Sequence, residues 1–186
     1  MADAHEELGA RWQAERCPEC AFDPAGVTAA DLPAAVAGLG RRYQAPLTRL
    51  LPGEDESILV ARPLPGVWSA LAYACHVRDV LAVFDGRIGR MLTEDNPDFG
   101  WWDHEAAVEA DAYEKQAPAE VAAALAANAA ATSARLAAVP DGGWDRTGVR
   151  RDGEIFTVLG TGRFVLHEGT HHLLDIGRVL RAARGR

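Results

Sequence analysis

From Trp68 to Thr93 the apolar residues Tyr73, Val77, Val80, Leu81, Phe84, Ile88 and Met91 recur mostly at steps of three and four. That spacing lines one stripe of an α-helix and is incompatible with a strand, whose faces alternate every second residue. The spacing predicts a helix from about Ser69 to Thr93. Three more helices are expected. One runs from about Thr28 to Leu51, with Thr28 or Asp31 as cap, Pro33 in its first turn and Pro46 a source of shortening or kinking. An alanine-rich helix runs from about Pro118 to Ala138, and the last from about Gly162 to Ala183. A short helix could also form over residues 1–16. "CPECAFDPAG" interrupts the chain after it, and Pro63, Pro65 and Gly66 forbid a helix in the connector "EDESILVARPLPGV". "DRTGVRRDGEIFTVLGTG" reads as a loop or small hairpin turning at "RDGE". The isolated "GTG" at its end frees the backbone before the last helix. The expected fold is all-α, a four-helix bundle with a long acidic and aromatic crossover between its second and third helices. Residues 1–27 form an extension and 28–186 the bundle, in one domain of 186 residues.

Composition narrows the function. A net charge of −8 argues against nucleic acid as a partner, because a phosphate backbone calls for a basic face. No run of about 18 apolar residues spans a membrane, and the charged N-terminus has no apolar signal core. Three cysteines, Cys17, Cys20 and Cys75, suit a reducing cytoplasm better than a disulfide scaffold. Only Lys115 among the 19 basic residues is a lysine, a bias that suggests a GC-rich bacterial genome.

Three of the six histidines fall within "LHEGTHHLLD", residues 166–175. Two pairs there are spaced i, i+4 and so stack on adjacent turns, where both members can grip one ion. One pair is His167 and His171, the other Glu168 and His172. With Val165 at 0° on a helical wheel, Leu173, Ile176, Val179, Leu180 and Ala183 centre near roughly 40°. Glu168 and His172 then fall near about 300° and 340°, flanking the buried stripe, and Asp175 near about 280°. His167 and His171 fall near about 200° and 240°, on the outward side. A carboxylate with an imidazole suits Zn²⁺, Ni²⁺ or Fe²⁺. A third ligand must come from a facing helix, and His76 is the histidine within the second helix.

"CPEC" supplies two thiols at metal-ligand spacing, but half a Cys₄ site is not a site and no second Cys-x-x-Cys follows. A homodimer could join two copies; the preferred reading is a pair of reduced thiols opening a loop. Cys75, about 100° from His76 on its helix, reads as a packed small residue. Walker and dinucleotide loops are missing. Trp101, Trp102 and His104 sit in the crossover, where they could line the mouth of a site or pack over the bundle end.

Two segments together resemble the DinB superfamily, which includes the mycothiol-dependent maleylpyruvate isomerases. "PGVWSALAYACHVRDVLAVFDGRIGRMLTEDNPDFGWWD" is similar to the family's Trp-Ser opening followed by a His and, three residues on, an Asp. "RFVLHEGTHHLLDIGRVL" is similar to its final helix. The resemblance implies a four-helix bundle of DinB type holding a divalent metal through one ligand from the second helix and two from the fourth, here His76, Glu168 and His172. The His-x-x-x-His form of the family would instead match His167 and His171. In the isomerase-like branch a Glu precedes the His and an Asp follows it, as Glu168, His172 and Asp175 do. Asp175 or Asp79 would orient an imidazole from behind. The activity implied is S-transfer or isomerisation of a small molecule with a low-molecular-weight thiol such as mycothiol as cofactor. A non-catalytic, stress-associated metal-binding module is the competing expectation.

Overall fold

The computed structural model describes residues 15–150 and 153–185; the helix expected over residues 1–16 and the "RDGE" turn fall largely outside them. Four long helices make the bundle. α1 is Leu32–Thr48, α2 the single turn Ser57–Val60, α3 Ala70–Thr93, α4 the short His104–Ala110, α5 Pro118–Ala137 and α6 Val158–Ala183. Strands β1, Thr147–Arg150, and β2, Glu154–Thr157, pair antiparallel with Arg150 opposite Glu154. No helix among the described residues is long and apolar enough to cross a membrane.

Local chemistry sets the boundaries. Ser69 Oγ accepts the Ala72 N–H at 3.2 Å and starts α3. Thr157 Oγ1 does the same for Gly160 at 2.9 Å, so the last helix begins at Val158 and takes in the "GTG" that was expected to loosen the chain before it. α1 runs two residues past Pro46 and stops at Thr48; the proline, lacking an N–H, forfeits the bond to the Arg42 carbonyl and so weakens the last turns. Asp31 does not cap α1 through its side chain; its carboxylate accepts from the Thr28 N–H and hydroxyl instead. The connector before α3, expected to hold no helix, fits one helical turn ahead of its prolines.

Around the bundle the long helices follow the order α1, α5, α3, α6, so α1 faces α3 across the diagonal. The α1–α5 seam is very close: a Cβ on Gly40 would lie 2.9 Å from Ala126 Cα. Small side chains let these two backbones meet. At the α1–α6 seam, Cβ atoms on Gly162 and Gly169 would stand 2.7 and 2.5 Å from methyl carbons of Leu32 and Leu39. Tyr43 adds a buried hydrogen bond there, its hydroxyl donating to the Gly169 carbonyl at 2.9 Å. Leucine, valine, alanine and phenylalanine from all four helices fill the centre. The crossover from α3 to α5 is tied to β1 by hydrogen bonds between Phe99 and Val149 and between Val149 and Pro97.

This arrangement leaves α3 and α6 side by side with the crossover over their ends. Residues 15–27 run along the far side of α6, held by Arg163, which donates to the Val27 carbonyl, and by Arg178, paired with Glu19 at 2.8 Å.

Candidate metal centre and pocket

α3 and α6 bring His76, Glu168 and His172 together. His76 Nε2 lies 3.3 Å and His172 Nε2 3.5 Å from the same oxygen, Glu168 Oε2. Nitrogen and oxygen ligands about 2.0–2.2 Å from a tetrahedral Zn²⁺ stand about 3.4 Å apart. The donor set therefore fits a divalent ion in both spacing and chemistry, one carboxylate and two imidazoles. His76 Nδ1 is buried without a hydrogen-bond partner among the described residues, so the protein alone does not satisfy this ring.

The electrostatics are strongly perturbed. Burial would raise the Glu168 carboxyl, but hydrogen bonds from His172 and His76 outweigh it and hold it well below the usual range. Burial pulls His76 down to about 4, against the pull of Glu168. His172 resists the same burial through Asp175 and Glu168, which bring it up to about 9. Its Nδ1 pairs with Asp175 Oδ2 at 2.9 Å. An ionised carboxylate only accepts, so Nδ1 keeps a proton toward Asp175, while the second proton of the imidazolium sits on Nε2 toward Glu168, where a metal ion would displace it.

Asp79, the other residue expected to steady an imidazole, lies elsewhere. Three residues past His76 it points round the helix, pairs with Arg78 at 2.7 Å and accepts the Tyr113 hydroxyl at 2.6 Å.

The wheel also misplaces His167 and His171. His167 is 1% exposed, and its ring lies 5.2 Å from that of Phe22. His171 approaches Cys17, with 3.6 Å between Nδ1 and Sγ. A wheel assumes one buried face, whereas here residues 15–27 cover the side of α6 opposite the bundle. Phe164, Val165, Leu166 and His167 are consequently all buried in succession. Cys17 and Cys20, read as simple loop thiols, belong to that cover and lie beside the two histidines. Cys75 is fully buried, as a packed small residue should be.

The triad opens on a cavity of about 530 Å³ bounded by α3, α6, the crossover and the N-terminal segment; α1 and α5 line none of it. Trp102 stacks on His76 with ring centres 5.9 Å apart and planes 6° from parallel. His104 lies 5.6 Å from His76, and Trp101 6.2 Å from His104. All three crossover residues thus reach the pocket. Three further residues escaped sequence reasoning. Tyr73 stacks on His172 at 5.0 Å, and Trp68 stands 5.3 Å from His76. Arg87 is 8% exposed, with its guanidinium over Phe84 at 4.6 Å and Phe99 at 5.4 Å. It makes no ion pair or hydrogen bond among the described residues. Burial, assisted by the charge of Arg150, pulls its pKa down to about 10. Arg150, by contrast, is paired with Glu154. Arg87 was legible in principle: eleven residues after His76 it returns to the same helical face.

Comparison with curated proteins finds no significant match. Among solved structures the chain is similar to YfiT from Bacillus subtilis, described as a probable metal-dependent hydrolase with an unusual four-helix bundle topology. The TM-score is 0.72 at 21% identity, covering 82% of this chain and 86% of that one. At this identity the likeness is one of fold. The family model of the DinB superfamily matches residues 39–176, a span that takes in all three triad residues, and the chain belongs to that superfamily.

Proposed function

We propose that the protein is a metal-dependent enzyme acting on a small molecule that carries an anionic group, with His76, Glu168 and His172 as the metal ligands. The observation that carries this reading is the pairing, in one cavity, of a borderline-metal donor set with a largely buried guanidinium that forms no ion pair among the described residues. A buried charge without a partner is costly and persists where a ligand completes it. Arg87 is positioned to bind a carboxylate or phosphate. Trp68, Tyr73 and Trp102 form an aromatic wall that excludes water and packs an apolar body. Asp175 keeps the proton of His172 on Nδ1 and so presents Nε2 to the ion.

Three protein ligands leave coordination positions open, the pattern of catalytic rather than structural sites. When bound, the ion supplies Lewis acidity that favours the ionised form of a thiol at neutral pH. Thiol-dependent S-transfer or isomerisation is our preferred reaction, supported by the Glu-x-x-x-His-x-x-Asp pattern of α6, which resembles the isomerase-like branch of the family. Hydrolysis is the second reading, favoured by the description of YfiT.

The test follows free thiol in mixtures of zinc-loaded protein, a low-molecular-weight thiol and electrophiles bearing a carboxylate. Thiol loss that falls at least about 100-fold in Glu168→Ala supports S-transfer; isomerisation, which returns the thiol, appears as thiol-dependent conversion of a cis-unsaturated diacid. Metal-dependent ester or amide cleavage without any thiol requirement selects hydrolysis. Binding without turnover across the panel overturns the enzyme in favour of a metal-binding module.

A further inference from the structure

The second i, i+4 pair of "HEGTHH" has its own partners. We propose that Cys17, Cys20, His167 and His171 form a separate closed Cys₂His₂ centre for Zn²⁺, which fastens the N-terminal segment to α6. Their four ligand atoms lie within 4.8 Å of one another. Cys17 Sγ and His171 Nδ1 are 3.6 Å apart, and Zn–S of about 2.3 Å with Zn–N of about 2.0–2.1 Å in a tetrahedron gives about 3.6 Å.

The two halves come from opposite ends of the chain, Cys17 and His171 lying 154 positions apart. Each half is shaped locally. In "CPECAF" the Ala21 N–H donates to the Cys17 carbonyl at 3.0 Å and the Cys17 N–H to the Phe22 carbonyl at 2.8 Å. Ala21, at φ 60°, takes the left-handed conformation that closes this turn. The turn folds both thiols to one side, while α6 sets the two imidazoles one turn apart on the face they approach. Cys17 and His167 are buried, and Cys20 and His171 partly so.

His171 is also held from behind. Its Nε2 stands 3.6 Å from Asp175 Oδ2, leaving Nδ1 for the sulfur side. A carboxylate behind a metal-binding imidazole is the usual support for such a ligand. Asp175 thus stands beside both centres, hydrogen-bonded to His172 and at ion-pair distance from His171. Four protein donors fill a tetrahedral ion, so this centre is structural, in contrast to the three-ligand triad. The same segment supplies one wall of the cavity through Glu15, Arg16, Cys17, Pro18 and Glu19, so the ion would set the position of that wall. The inference stands whether or not the triad is catalytic.

The experiment is metal analysis of the full chain, expressed without a histidine tag and purified under reducing conditions with added zinc. About two equivalents are expected in the wild type and about one in Cys17→Ser/Cys20→Ser. Glu168→Ala should also hold about one, but with both thiols protected from alkylation. Cobalt replacement supplies a second, spectroscopic readout. A thiolate-to-cobalt charge-transfer band in wild type and in Glu168→Ala, missing from Cys17→Ser/Cys20→Ser, supports the site. One equivalent unaffected by the double cysteine change overturns it. So does a cobalt spectrum without the thiolate band, or a Cys17–Cys20 disulfide in place of the metal. Loss of the triad ion with the thiolate band intact would count against the proposed reaction and leave this centre standing.

Discussion

Replacing Arg87 with methionine should make the protein more stable and less able to bind anions. A drop in the Arg87 pKa from 12.5 to about 10 corresponds to about 3 kcal/mol disfavouring the charged form in the folded state. The sign is fixed by linkage. The folded pKa lies below the unfolded one, so between them the unfolded chain binds more protons and stability rises with pH; below about 10, including neutral pH, the whole penalty is present. Methionine keeps the apolar stem and removes the charge. Against the gain stands the loss of two cation–π contacts, to Phe84 and Phe99, at about 0.5–1 kcal/mol each because the guanidinium borders the cavity and is not fully desolvated. The net expectation is about 1–2 kcal/mol of added stability, an increase of about 0.5–1 M in urea midpoint for a slope near 2 kcal/mol/M. Urea melts followed by circular dichroism on zinc-saturated wild type and Arg87→Met measure it. In parallel, inorganic phosphate should raise the melting temperature of the wild type and leave that of the variant unchanged. A variant destabilised by about 1 kcal/mol or more, or one protected equally by phosphate, would refute the reasoning and return Arg87 to a purely packing role.

Gly169→Ala tests the α1–α6 seam. Helix propensity alone favours alanine by about 1 kcal/mol, but the new methyl would meet Leu39 at 2.5 Å, and overpacking of about 1–3 kcal/mol should win, lowering the melting temperature by a few degrees. A rise in melting temperature would show that Leu39 yields freely. Asp175→Asn removes the carboxylate that fixes the His172 proton on Nδ1, so zinc affinity at the triad should fall about 10–100-fold in chelator competition; an unchanged affinity contradicts the assigned tautomer. Cys75 is fully enclosed and burial pushes its thiol up to about 12, so brief alkylation at pH 8 should modify it only after denaturation, as read by mass spectrometry. Labelling of the native protein at the rate of a free thiol would show that α3 opens locally.

The long helices could be read because each carries a continuous apolar stripe and a defined stop, and the hairpin because its strands flank a turn dipeptide. The Glu168/His172 pair was reachable from the same stripe, since both residues flank it. His167 and His171 were not, because the layer that buries them, residues 15–27, carries no periodicity and reaches α6 only through the tertiary fold. For the same reason "CPEC" looked like half a site. Its complement is a helical pair 154 residues away, and a contact at that separation leaves no trace in local spacing. The start of α6 was misplaced because glycine was weighed as a breaker, whereas Gly162 marks the close approach of Leu32 and the Thr157 cap settles the boundary. Arg87 went unremarked because one charged residue on an amphipathic helix ordinarily faces water.

The close α1–α5 seam has a consequence for how such a protein diversifies. Where backbones meet across Gly40 and Ala126, almost any larger side chain is penalised, so this half of the bundle tolerates little change. It contributes nothing to the cavity wall. The residues that do, in α3, α6, the crossover and the N-terminal segment, can be exchanged without disturbing that seam. Stability and specificity are thereby encoded in separate halves of one small domain, and new substrates can be explored along one half while the other preserves the scaffold.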